Sequence, residues 1–182
     1  YVGSDSVKAG KFCFSFAVPR DINYTQGNGL INIYAINDSR SLAVNGSCDR
    51  FLVGGTSSLA SDSIGPSVFC YLNSPSFENG GSVNSTPYFV AQLRDKDGIN
   101  VSGSSIGHNL ELIIDDDMNK TYVLNDNFQY DFGSYTSGTT YYNIPELAPG
   151  KHRLQFKAWD VLNNSSTTWL DFEVVKNLTP TL

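Results

Sequence analysis

The stretch GKHRLQFKAWDVLNNSSTTWLDFEVV, Gly150 to Val175, decides the fold. Apolar and polar residues alternate through HRLQFKAW from His152, and again through TTWLDFEVV from Thr167. A period of two sends successive side chains to opposite faces, so each run reads as a half-buried β-strand. Leu154, Phe156 and Ala158 share one face of the first, and Leu170, Phe172 and Val174 one face of the second. The intervening DVLNNSS is turn chemistry, since Asn and Asp side chains bond nearby backbone. The two runs therefore form an antiparallel hairpin whose inner face belongs to a core.

Upstream, the same alternation recurs at regular spacing with turn signals between. It appears in SVFCYL from Ser67, TPYFVAQL from Thr86, LELII from Leu110, KTYVL from Lys120 and TTYYNI from Thr139. Seven short strands in about 115 residues match an immunoglobulin-like sandwich. Residues 127–137 are aromatic but turn-rich and read as irregular. Trp159 and Trp169 are expected in the core. Ahead of this block, Phe12, Phe14, Phe16 and Val18 line one face of a strand stopped by Pro19. LINIYAI from Leu30 follows the turn-prone QGNG, and RFLVGG from Arg50 reads as a third strand. About three strands in 60 residues bury too little apolar area to stand alone. They should pack on the sandwich or complete a sheet whose other strands lie upstream of Tyr1. The polar TSSLASDSIGP places a boundary near Ala60 to Pro66. The expected organisation is a β segment over 1–62, a sandwich over 63–178 and a tail over 179–182. The fold class is all-β: an immunoglobulin-like antiparallel β-sandwich preceded by a smaller β-sheet segment that is incomplete in itself.

The 182 residues carry 12 Lys and Arg against 18 Asp and Glu, a net charge of −6. The cations never cluster, which argues against nucleic acid or an anionic membrane surface as partner. No apolar run is long enough to span a bilayer, and no signal-peptide pattern opens the chain. The abrupt start at YVGSDSV is expected of a fragment or a mature product. Cys13, Cys48 and Cys70 are an odd set without zinc spacing or a C-x-x-C. Cys13 and Cys70 fall in strand-like runs, where a buried free thiol is the simplest reading.

Two acidic stretches invite a metal. Asp115, Asp117, Asn119 and Asp126 occupy positions 1, 3, 5 and 12 of an EF-hand-like register. Flanking helices are absent, Lys120 stands where Gly is required, and LELII and TYVL alternate on either side. The run is therefore the tip of a hairpin. Asp95 and Asp97, ahead of Gly98 in LRDKDGIN, are a weak calcium candidate and first of all a strand-end turn. No cofactor is expected. No catalytic set emerges: His152 opens a strand and reads as a surface residue, and His108 as a structural histidine. No nucleophile elbow, P-loop, zincin or dinucleotide pattern occurs. The N-x-S/T tripeptides at Asn84 and Asn164 mark exposed loops.

Several words of the chain resemble a known family. They are FAVPRDINYTQGNGLINIYAI, DSIGPSVFCYLN, FENGGSVNSTPYFVAQLRDKDGIN, SIGHNLELIIDD, YVLNDNF and LAPGKHRLQFKAWDVLNNSS with LDFEVV. Together they resemble the C-terminal β-domain region of the PorU-type sortases of the type IX secretion system, gingipain-like cysteine peptidases of Bacteroidetes. The most specific parts run from Gly98 to His108 and from Gly150 to Asn164. The resemblance implies an upstream peptidase domain in the same chain, a place on the outer face of the outer membrane, and secreted cargo or other secretion-machine subunits as partners. It carries over no catalytic residue, because that domain's motifs do not occur here. Where the family often reads Gly-His-Asp, this chain has Asn109 after His108. Gly98, Gly107, His108, Gly150, Trp159, Asp160, Asn163 and Asn164 are then expected to be structural. Gly98 and Gly107 mark turns, and the Asn163–Asn164 corner pins the last hairpin. The competing expectation is a free-standing surface module that binds carbohydrate or calcium.

Overall fold

The computed structural model describes residues 1–20, 22, 27–55, 61–103 and 106–176. Gln26 of the QGNG turn, Ala60 of the Ala60–Pro66 boundary and the 179–182 tail lie outside the described residues. The Gly150–Val175 stretch forms the hairpin that its alternation predicts. In chain order, the strands are β1 (Ile31–Ile36), β2 (Ala43–Cys48), β3 (Ser67–Leu72), β4 (Ser82–Val83), β5 (Tyr88–Arg94) and β6 (Ile99–Asn100). Then come β7 (Glu111–Ile114), β8 (Thr121–Val123), β9 (Phe128–Tyr130), β10 (Ser137–Asn143), β11 (Gly150–Asp160) and β12 (Ser165–Val174).

The fold is all-β, a sandwich of two sheets beside a small ribbon. One sheet has the order β3-β5-β10-β9, and the other β4-β12-β11-β7-β8 with β6 also on β11. All pairings are antiparallel except β4 with β12. Inner faces meet through Phe89 on β5 and Phe156 on β11, with ring centroids 5.2 Å apart, and through Tyr122 and Tyr142 at 4.9 Å. Leu154, Phe156 and Ala158 are buried, as are Phe172 and Val174, and Leu170 packs against the same cluster. Burying such side chains, at about 1.5–3 kcal/mol each, is what drives the two sheets together.

Four expectations change. Residues 127–137 are not wholly irregular, because Phe128–Tyr130 pairs with β10. Phe128 supplies the buried side chain that anchors this short strand. Neither tryptophan is in the core. Trp159 and Trp169 have the outward parity of their strands, and Trp169 is 53 % exposed, its indole N–H donating to Gln155 at 3.3 Å. The segment from Phe12 to Val18 is extended but enters no sheet, and its Cys13 is exposed rather than buried. RFLVGG contributes only a single bridge, Asn28 to Leu52, while β1 pairs with Ala43–Cys48 instead.

The β1–β2 ribbon closes on Asn37, whose side-chain oxygen accepts from the amides of Ser41 and Leu42 at 2.9 and 3.0 Å. Every β2 residue is exposed, and the buried core begins only at Leu72.

Candidate functional site

The resemblance-carrying residues converge, with one exception, on one end of the sandwich. Gly98 sits at φ +126°, its amide accepted with that of Asp97 by the Asp95 carboxylate at 3.2 and 2.8 Å. Its carbonyl accepts from Val161 N at 3.0 Å. This aligns β6 on the end of β11, with Ile99 opposite Asp160 and Asn100 opposite Trp159. Asp160 is fully buried; its Oδ1 accepts from the amides of Leu162 and Asn164, and its Oδ2 from the Asn164 side chain at 2.8 Å. The corner is thus pinned by Asp160 more than by the asparagines. Asn163 takes the left-handed conformation at φ 70° that ends a three-residue hairpin loop. Trp159 packs against His108 with ring centroids 4.1 Å apart and planes tilted by 36°, and the Lys157 ammonium lies 4.4 Å from the Trp159 ring. Gly107, at φ +83°, turns the chain just ahead of His108. Gly150 is the exception, at the far end of β11, roughly 30 Å away at a strand's rise per residue.

An element not foreseen locks onto this end. Residues 61–66 cross the corner, and Asn164 Nδ2 donates to the Asp62 carbonyl at 3.2 Å. The Asp62 side chain, only 8 % exposed, accepts from the Ser63 and Ile64 amides and faces Lys96 Nζ at 3.0 Å. Lys96 also meets Asp97 at 2.9 Å. The Lys96 ammonium therefore holds the Asp62 carboxyl down at about 2. Burial pushes the Asp95 carboxyl up, and the negative charges of Asp160 and Asp97 add to that.

Oxygens of Asp62, Asp95 and Asp160 lie within 4.8 Å of one another. Asp97, the second calcium candidate, is not in this trio. Carboxylates so placed have the donor chemistry of a hard-cation site. Here Lys96 supplies positive charge, and backbone amides and Asn164 take up much of the acceptor capacity. Asp62 was invisible to local pattern reading because it lies 33 positions before Asp95. Its only signal was DSI, an Asp placed to bond the amides that follow it.

The Asp115 stretch is a hairpin tip joining β7 to β8. Asp115 and Asp116 take positive φ, and Met118–Lys120 makes one 3-10 turn. Asp115 Oδ2 meets His152 Nδ1 at 2.9 Å, and Oδ1 accepts from Arg153 N. His152 is accordingly not a surface residue. Its side chain is 11 % exposed, and Nε2 donates to the Ala148 carbonyl at 2.7 Å. Its strand parity, shared with Leu154, places it at the rim of the core. Burial opposes ionisation of Asp115, but the His152 ring, the Arg153 amide and Lys120 outweigh it and hold the carboxyl below its ordinary value. No acid–base pair with an open nucleophile forms among the described residues. Cys70 is half-buried beneath β12 and its thiol is pushed up to about 11 by that burial, the reverse of an activated nucleophile. No helix among the described residues is long and apolar enough to cross a membrane.

No protein-family model matches the chain, and no curated protein matches it. Among solved structures, it is similar to dimeric latent PorU from Porphyromonas gingivalis, at 36 % identity and a TM-score of 0.65. That match covers 91 % of this chain and 16 % of PorU, so the chain spans about a sixth of that protein's length. An endo-beta-1,4-mannanase from Thermotoga petrophila aligns over 61 % of the chain and 20 % of its own length, at 12 % identity and a TM-score of 0.39. The chain is related to the part of PorU that it matches.

Proposed function

We propose that this chain is a non-catalytic β-sandwich region of a larger PorU-like sortase of the type IX secretion system. In this reading, residues 63–178 form the sandwich and residues 1–62 the segment that links it to its neighbours. The region braces a peptidase domain elsewhere in the same polypeptide, at the outer face of the outer membrane. It offers surface to secreted cargo or to other subunits of the machine. The observation that carries the reading is the match to PorU across 91 % of this chain but only 16 % of PorU. The polar network at the end of the sandwich ties loops to strands, which suits a supporting role.

The test is the intact mass of the natural protein, recovered from its host's envelope with an antibody against these residues. A mass several times 19.9 kDa is expected. A mass near 19.9 kDa would overturn the reading and leave the free-standing module for carbohydrate or calcium. Peptidase activity of the 182-residue chain alone, lost on changing Cys13, Cys48 or Cys70 to Ala, would overturn the non-catalytic role.

A further inference from the structure

Two thirds of the large apolar side chains that stand exposed among the described residues fall in the first 64 positions. They are organised. Phe12, Phe14 and Phe16 stack as a ladder, with centroids 6.2 and 6.1 Å apart and nearly parallel rings. Tyr1 caps the ladder 5.6 Å from Phe16 and contacts Tyr130 of the sandwich. The rings are 50, 38 and 39 % exposed. Behind them, Ala17 lies against Gly98, and Arg20 N donates to Val161 O, so the segment's other side is already seated. The amides and carbonyls of residues 12–18 make no hydrogen bond among the described residues. An extended segment with an apolar face and an unspent backbone is a strand that lacks its sheet.

The ribbon repeats the pattern. Among the described residues no strand pairs with either of its edges, Tyr34, Ile36 and Val44 are exposed, and it adds nothing to the core. A two-stranded ribbon in water is marginal without a third strand or a packed face. Opposite Ile33, Gly46 leaves open space where a side chain would stand.

We infer that Phe12–Val18 and the β1–β2 ribbon form one docking surface for a sheet belonging to the remainder of a larger PorU-like polypeptide. That sheet pairs with the open backbone and covers the phenylalanine ladder. This rests on the proposed function, since the occupant is the five sixths of PorU that the chain does not match. Among the described residues, each strand of the sandwich has at least one partner strand and the two sheets share a buried apolar core.

The test is amide hydrogen exchange on the natural polypeptide, after its mass is known, beside the 182-residue chain. A mass near 19.9 kDa overturns the proposed function and this inference together. With a larger mass, amides of residues 13–18 and of β1 and β2 should exchange at least about tenfold more slowly in the natural protein than in the chain alone. The β11 and β12 amides should be protected in both. Equal exchange in the two overturns the inference and leaves the proposed function standing. Protection that fades on dilution, with a dimer mass, assigns the surface to a second copy and also overturns it. Phe14→Asp in the natural polypeptide should release the 13–18 amides while β11 stays protected. If that variant does not fold, Tyr34→Asp should do the same for the ribbon, and unchanged protection there would overturn the inference.

Discussion

Lys96 faces Asp62 and Asp97 while Asp95 and Asp160 stand close behind, so one ammonium offsets a crowd of carboxylates. The linkage has a definite sign. Asp62 titrates at about 2 in the folded chain against an ordinary 3.8. A depressed carboxyl contributes stability that is present above its unfolded value and lost as pH falls through the folded one. Urea midpoints measured between pH 2 and 6 should therefore fall toward the acid end. In Lys96→Met, the Asp62 part of that dependence should vanish and the midpoint at pH 6 should drop. An unchanged acid limb in the variant would exclude the pairing. The His152 contacts give a second expectation at this scale. One ring nitrogen meets the Asp115 carboxylate at 2.9 Å and the other the Ala148 carbonyl at 2.7 Å, so both sides of the ring are held. His152→Ala should cost about 1–3 kcal/mol by denaturant titration, and a change below about 0.5 kcal/mol would mean the ring is not held this way.

At the scale of elements, parity explains which readings succeeded. Seven strands of the sandwich were legible because branched and aromatic residues alternate with polar ones over five or more positions, whereas β4, β6 and β9, at two or three residues, are too short to show a period. The same parity, applied strictly, sends Trp159 and Trp169 outward and His152 inward, and composition alone misplaced all three. β2 escaped notice because AVNGSC has one β-branched residue and a Gly; it is a strand by pairing with β1, not by its own preference. The Asp62 clamp was beyond local reading, since contacts made across 34 positions to Lys96 and 102 to Asn164 leave no periodicity. The corner itself is open to test. Asn163 holds a left-handed conformation and its buried side-chain oxygen has no hydrogen-bond partner. Asn163→Gly should leave stability within about 0.5 kcal/mol or raise it, while Asn163→Val should cost about 1–2 kcal/mol. Equal melting temperatures for the two variants would contradict the assigned backbone. Gly65 matters for a different reason: a Cβ there would run into the backbone carbonyl of Ser165. Gly65→Ala should lift residues 61–66 off the corner, visible as new cleavage by a protease at this segment.

For the whole molecule, energy is concentrated in the sandwich. Phe156→Ala should cost about 3–5 kcal/mol, whereas Phe14→Ala in the 182-residue chain should cost under about 1 kcal/mol, because that ring is already half in water. Comparable losses would mean that the N-terminal ladder belongs to the core. The order of the strands also sets a schedule. β11, at the middle of its sheet, partners β6, β7 and β12, and Ser82–Val83 pair in parallel with Glu173–Val174, 91 positions later. As the polypeptide emerges from a ribosome, β4 and β7 wait for partners that are made many residues later. Non-local pairing of this kind slows folding and prolongs the exposure of unpaired strands. A nascent chain stalled before Gly150 therefore has no centre for its larger sheet, and stays open to chaperones until the β11–β12 hairpin is out.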